Sequence, residues 1–188
     1  MSHNQFEEEL KIVVAARKGD AKAQRKIFEQ FAPVMMSVCY RYAGDTETAK
    51  DLLQDGFIKL FDKLDMYAGT GSFAGWVRRV FVTTCLEYLR QKTALKLSES
   101  IDDPHHQLMT DEPSVIEKIS ADDLMDIISG LADGYRTVFN MYAIEGYSHA
   151  EIAEILGITE VTSRTQFMRA RKILQDLIIK RFGNGITR

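Results

Sequence analysis

Arg164, Thr165, Gln166, Met168, Arg169, Arg171 and Lys172 crowd one short stretch near the C-terminal end of the chain. Guanidinium, hydroxyl, amide and thioether groups in that density suit recognition rather than catalysis. Arginines and lysines neutralise phosphates, and residues near the start of a helix can reach base edges in a major groove. A second group, Trp76, Arg79, Thr83, Glu87 and Arg90, recurs at steps of three and four and so shares one helix face. Aromatic and guanidinium groups side by side suit single-stranded nucleic acid, whose unstacked bases lie on π faces while phosphates pair with arginine. The preceding loop, with Tyr67, Gly69, Thr70 and Gly71, could wrap an extruded base with its backbone groups. Trp76 reads equally well as a core residue. A third group, Asp51, Gln54, Asp55, Ile58 and Asp62, forms an acidic face with an isoleucine at its centre. Such a face suits docking onto another protein, although a charged outer face is also ordinary on an amphipathic helix.

Enzyme chemistry finds no footing. The chain has no glycine-rich phosphate loop, no H-E-x-x-H and no nucleophile with a matching base, so no enzyme activity and no cofactor are expected. Cys39 and Cys85 stand apart without a C-x-x-C or a nearby histidine, which predicts buried reduced thiols. His105 and His106 read as a solvated pair, and no metal site is expected.

The elements that must position these groups are helices. Ser148 with Glu151 three residues on is a capping box that opens a helix at His149, and Ile152, Ala153 and Leu156 form its apolar stripe. Gly157 supplies the left-handed residue that ends it, and Thr159 caps the next helix. In that helix Ser163, Phe167, Ala170 and Leu174 face inward, and the basic set is left outside. Cap, glycine, second cap and basic face in this order describe a helix-turn-helix, against the plainer alternative of a helical hairpin with a solvated basic face.

Upstream, helices are expected over Phe6 to Lys18, from the Asp20 cap toward Phe31, from Pro33 to Ala43 with Gly44 as stop, and from Thr46 to Leu64. On the Thr46 helix Leu53, Phe57, Leu60, Phe61 and Leu64 should turn inward. A fifth helix spans Phe73 to Lys92, with Phe73, Val77, Val80, Phe81, Thr84 and Tyr88 as its core stripe. Residues 93–120 hold two prolines, no aromatics and an excess of acid, which marks a linker. Helices resume over Ala121 to Leu131 and Tyr135 to Ile144, and Gly183 to Arg188 reads as a frayed tail. The fold class expected is all-α: two small helical domains, 1–92 and 121–188, joined by a flexible acidic linker, the C-terminal one a helix-turn-helix.

Charge distribution qualifies the overall −3. Residues 1–92 net +2, residues 93–122 net −5 and residues 123–188 are neutral, yet Glu160 to Arg188 alone carries +5. DNA affinity follows the local footprint of lysine and arginine, not the isoelectric point. One helix of +5 on a mildly acidic protein should hold DNA weakly by itself, which predicts a chain that works inside a larger complex. No apolar run reaches the roughly 20 residues needed to span a bilayer. The N-terminus MSHNQFEEELK does not read as an export signal, so no membrane insertion and a cytoplasmic location are expected.

The motifs resemble a known family. Asp51-Leu52-Leu53-Gln54-Asp55-Gly56-Phe57, Ser72-Phe73-Ala74-Gly75-Trp76, Tyr88-Leu89-Arg90, Glu145-Gly146-Tyr147-Ser148, Glu151-Ile152-Ala153 and Arg169-Ala170-Arg171 are similar to successive signatures of the extracytoplasmic-function sigma factors of bacterial RNA polymerase. Arg17-Lys18-Gly19-Asp20-Ala21 fits that family's opening helix. The resemblance implies a dissociable promoter-specificity subunit. Its first domain would bind the clamp of the RNA polymerase core through Asp51, Gln54, Asp55, Ile58 and Asp62. It would melt and read the minus 10 element, as single strand, through Tyr67, Trp76, Arg79, Thr83, Glu87 and Arg90. Its second domain would contact the polymerase flap and set Arg164, Thr165, Gln166, Met168, Arg169, Arg171 and Lys172 on the duplex minus 35 element. An anti-sigma factor would hold it inactive. Thr83, Glu87 and Ser163 depart from the asparagine, aspartate and valine common at these family positions. A free-standing helix-turn-helix regulator is the rival reading, and it must explain the docking and aromatic faces separately.

Overall fold

The computed structural model describes residues 3–96 and 120–182. The expected linker lies outside the described residues over 97–119, as do His105, His106 and the tail from Gly183. Among the described residues there are eight α-helices and no strand: α1 His3–Arg17, α2 Ala21–Ala43, α3 Thr46–Asp62, α4 Phe73–Lys96, α5 Ala121–Ser129, α6 Asp133–Phe139, α7 His149–Leu156 and α8 Glu160–Phe182. The chain divides between Tyr88 and Leu89, within α4, into two compact units. No described helix is long and apolar enough to cross a membrane.

In the first unit α1 packs on α2 and α2 on α3. Asp20 caps α2 by accepting a hydrogen bond from the Ala23 N–H at 2.9 Å, and Asp45 caps α3 through the Thr48 N–H at 2.8 Å. The expected break at Pro33 does not occur, because α2 runs unbroken from Ala21 to Ala43 with the proline inside it. Pro33 and Val34 face solvent, whereas Ile27, Phe31, Met35, Val38 and Tyr42 keep helical register in the core on either side. Burying that continuous stripe offsets the roughly 3 kcal/mol that an interior proline costs a helix.

The inward face of α3 also differs from expectation. Ala49, Leu52, Gly56, Phe57 and Leu60 are buried, and Leu53 is only half-buried. Gly56 explains the displacement: a Cβ there would fall 2.2 Å from the ring of fully buried Phe81, so the glycine makes room for that α4 side chain. Phe57 fills the adjoining space, edge-on to Phe81 at 5.1 Å and tilted against Phe28 at 4.6 Å. On α4 the buried stripe takes in Phe73, Val77, Phe81 and Thr84 as expected. Val82, Cys85 and Leu86 are buried as well, while Val80 and Tyr88 are half-buried. Both cysteines are buried, and neither is in a disulfide.

The second unit is centred on Ile127, Ile128, Leu131, Ala170 and Leu174, with Tyr135, Phe139 and Ile173 against them. Arg136 is buried and ties the α5–α6 corner, donating to Ser129 O at 2.9 Å and Leu131 O at 2.6 Å while pairing with Asp133 at 2.7 Å. A guanidinium with five donors satisfies carbonyls that a helix end leaves open. The helix expected over Tyr135 to Ile144 starts earlier, at Asp133, and its last turn, Asn140–Ile144, widens to π geometry.

Candidate nucleic-acid interface

The helix-turn-helix forms as its local sequence dictates. Ser148 Oγ accepts from the Glu151 N–H, and the Glu151 carboxylate accepts from the Ser148 N–H at 2.8 Å, closing the capping box. Donation to the carboxylate from the Ser148 N–H, and from the Ser148 hydroxyl at 2.8 Å, lowers the Glu151 pKa. Gly157 ends α7 at φ +68°, and Thr159 Oγ1 accepts from the Thr162 N–H at 3.0 Å to open α8. Ser163, Ala170 and Leu174 are buried, with Phe167 half-buried.

One contact locks the two helices at their crossing. A 2.9 Å hydrogen bond joins His149 Nδ1 on α7 to Ser163 Oγ on α8, and the imidazole lies flat on Tyr142, 4.2 Å away at an interplanar angle of 11°. Phe167 closes this group from the side, its ring 4.6 Å from that of Tyr142. Burial first, and the Arg164 charge second, push the His149 pKa down against an opposing pull from Glu160, so the ring is neutral near pH 7. Ser163 at a position where the family commonly has valine thus has a local partner.

The basic set divides on the surface of α8. Arg164, Thr165, Met168 and Arg171 are exposed together. Arg164 pairs with Glu160 one turn earlier, an exposed contact worth little and easily exchanged for a phosphate or base. Gln166, Arg169 and Lys172 do not join them. The Gln166 amide lies beside Gly134, Arg169 Nη1 donates toward Tyr135 Oη at 3.4 Å, and the Lys172 ammonium nitrogen is shielded, with no hydrogen-bond partner among the described residues. These three side chains turn toward the body of the unit because α8 packs α6 along that flank. Sequence reading also missed Val161, which is 71 % exposed in the first turn of α8. Its place two residues after the Thr159 cap was the available signal.

On α4 Arg79 and Thr83 are exposed in the first unit, where Trp76 is half-buried, and Arg90 is exposed beyond the division of the helix. Glu87 is tied to Lys59 of α3 by a 2.6 Å ion pair. Trp76 stacks on Phe73, with ring centres 5.9 Å apart at 17°, and its outer part remains open. Tyr67, expected among the minus 10 residues, is buried: 4 % of the residue is exposed, and the ring lies 5.1 Å from Phe73 and 5.5 Å from Trp76. The phenol donates to Gly71 O at 2.9 Å and shapes the loop from inside. Burial, reinforced by Glu9, pushes its pKa up and keeps the donor proton in place. Asp51, Gln54, Asp55, Ile58 and Asp62 are all exposed on one side of α3, and Ile58 is 53 % exposed. Among the described residues no cluster of histidine, cysteine or carboxylate could hold a metal ion.

Comparison with known proteins accounts for this arrangement. Residues 27–94 match the sigma-70 region 2 family and residues 121–174 match sigma-70 region 4. The chain is 28% identical over 160 residues to the ECF RNA polymerase sigma factor SigE of Mycolicibacterium smegmatis, covering 82% of this chain and 61% of that protein. It therefore spans less than two thirds of that relative's length. It is 26% identical over 176 residues to the ECF RNA polymerase sigma factor SigW of Bacillus subtilis, covering 88% of this chain and 94% of the relative. The ECF RNA polymerase sigma-E factor of Haemophilus influenzae is 24% identical over 184 residues, with 89% and 93% covered. Among solved structures the fold is similar to the sigma factor RpoE of Bartonella quintana, crystallised with the anti-sigma factor NepR. That likeness has a TM-score of 0.50 and 18% identity, over 87% of this chain and 98% of that one. Two family regions in order, on an all-helical chain ending in a helix-turn-helix, make the conclusion plain: the chain belongs to the extracytoplasmic-function sigma factors, the promoter-specificity subunits of bacterial RNA polymerase.

Proposed function

We propose that the protein directs polymerase core to its promoters by holding two weak DNA contacts at a fixed spacing. Arg164, Thr165, Met168 and Arg171 read the duplex minus 35 element. Trp76, Arg79, Thr83 and Arg90, with the loop 68–72, receive the melted minus 10 strand. Asp51, Gln54, Asp55, Ile58 and Asp62 dock on the polymerase clamp, the second unit contacts the flap, and an anti-sigma factor competes for these surfaces. The observation that carries the reading is the joint exposure of Arg164, Thr165, Met168 and Arg171 on a helix capped and locked at its start. Gln166, Arg169 and Lys172 support that helix from the side and lie outside the reading surface. A free-standing regulator is not favoured, because the region 2 match occupies the half of the chain that such a regulator leaves unexplained.

In vitro transcription with purified core polymerase over a library of promoter fragments tests this directly. Specific start sites should arise only when protein and core are both present. Tight footprinting of a duplex at physiological salt by the protein alone would instead establish the free-standing regulator. Gln54→Ala combined with Asp55→Ala should abolish competition for core. A double variant that competes normally removes the docking assignment.

A further inference from the structure

The loop between α3 and α4 is held from behind by α1, and Arg17 is the centre of that contact. Its guanidinium donates from Nε to Leu64 O at 2.8 Å and from Nη2 to Tyr67 O. The two carbonyls belong to the first residue of the 3₁₀ turn Leu64–Met66 and to the residue that follows the turn, so one side chain spans it from end to end. Leu10, two turns earlier on α1, meets the same loop: a Cβ added at Gly69 would fall 3.5 Å from Leu10 Cδ1. Gly69 has φ +74°, a conformation that binds the loop to glycine there. Beyond the turn the chain of contacts continues from the Tyr67 ring to Phe73 and Trp76, and from the Tyr67 phenol to Gly71 O.

From this path we infer that Arg17 is a positioning residue for minus 10 recognition, fixing the loop and Trp76 in the register that a displaced base requires. The inference rests on the reading that this loop and the adjoining face of α4 receive the melted strand. Arg17 touches no DNA in this scheme. A planar guanidinium can hold two carbonyls at once with preset geometry, and an ammonium on a flexible stem cannot. Removing the fork takes the guanidinium from the Tyr67 carbonyl and leaves the Leu64 carbonyl with the Tyr67 N–H at 3.2 Å, so the loop loses its tie to α1 and samples other conformations. Strand melting and base selection then weaken, while the docking face of α3 and the helix-turn-helix keep their structure.

The test uses holoenzyme reconstituted from full-length protein and core polymerase. The probes are single-stranded oligonucleotides carrying the non-template minus 10 strand of a promoter selected in vitro with the unaltered protein. Each position of the element is replaced in turn, and discrimination is the affinity ratio of the selected oligonucleotide to the replaced one. Arg17→Ala should lower discrimination at one or two positions by about tenfold, with core competition within about twofold of the original. A duplex promoter should lose activity, and a template already mismatched open over the minus 10 element should recover most of it. Arg17→Lys should retain an intermediate discrimination, and it supplies the measurement if the alanine variant is too unstable to purify. Unchanged discrimination in the lysine and alanine variants, whatever their thermal stability, overturns the inference and leaves Arg17 a packing residue. If the unaltered holoenzyme itself shows no base discrimination on these oligonucleotides, the reading of the loop fails along with the inference. The two failures are told apart by which protein shows the loss.

Discussion

The helix-turn-helix and the loop-α4 surface both expose arginines to solvent, yet they are stabilised over very different distances along the chain. The helix-turn-helix is assembled from contacts between near neighbours: Ser148 with Glu151, Thr159 with Thr162, and His149 with Ser163 fourteen residues on. The loop-α4 surface depends on contacts between residues far apart in sequence. Arg17 reaches Leu64 and Tyr67, Lys59 reaches Glu87, and Gly56 admits Phe81. A site built locally keeps its shape wherever the unit is carried. A site built from distant segments is a property of the whole unit, and a change in any one helix reaches it.

That contrast can be broken most forcefully at Gly56. Gly56→Ala places a methyl group inside the contact distance of the buried Phe81 ring, and the first unit should lose about 3 kcal/mol of stability. Thermal unfolding followed by near-ultraviolet circular dichroism reads this, and a loss below about 1 kcal/mol would mean that α3 and α4 separate more easily than their packing implies. The second unit should melt as before.

On the local side, Arg164→Ala should weaken use of the minus 35 element by roughly tenfold, with affinity for core polymerase unchanged. Arg169→Ala sharpens the comparison, because its guanidinium points at Tyr135 and not outward, so its effect on promoter selectivity should be the smaller of the two. Equal losses of selectivity in the two variants would contradict the division of α8 into a reading flank and a supporting flank. Thr159→Ala removes the cap of α8 and should cost the second unit about 1 kcal/mol, visible in denaturant unfolding and absent from the first unit's transition.

The smallest effect concerns pH. Burial and Arg164 depress the His149 pKa in the folded state, so the unfolded chain binds the proton more readily. The stabilisation is complete above the ordinary histidine value near about 6.5 and declines as the pH falls from there toward the lower folded value. His149→Gln should flatten the pH dependence of the second unit's melting between about pH 7 and 5. A variant that keeps the original slope would assign that dependence to another group.

Legibility followed the same division. The starts of α7 and α8 and the stop of α7 were readable to the residue, since a capping box, a left-handed glycine and a threonine cap are each completed within four positions, whereas the end of α5 and the start of α6 were each displaced by two residues. Continuity through Pro33 was not readable, because the stripe Ile27, Phe31, Met35, Val38 and Tyr42 holds α2 together only when α1 and α3 are there to cover it. The close approach at Gly56 was equally hidden, and it shifted the inward face of α3 from Leu53 to Leu52. Tyr67 was expected with its loop on the minus 10 surface, and the burial that makes it the interior support of that loop was not readable. Arg17 carried no chemical signal beyond a charge near the end of a helix.

The order of residues by itself determined that the chain is helical, where α7 and α8 begin, which segment concentrates basic charge, and which residues fall together on three helix faces. Tertiary structure alone decided which members of those faces reach solvent: Arg164 and Arg171 but not Lys172, Trp76 in part and Tyr67 hardly at all. The reason is range. Caps and turns are settled by hydrogen bonds to adjacent residues, whereas exposure depends on what lies opposite, and for Tyr67 that includes a guanidinium fifty residues away.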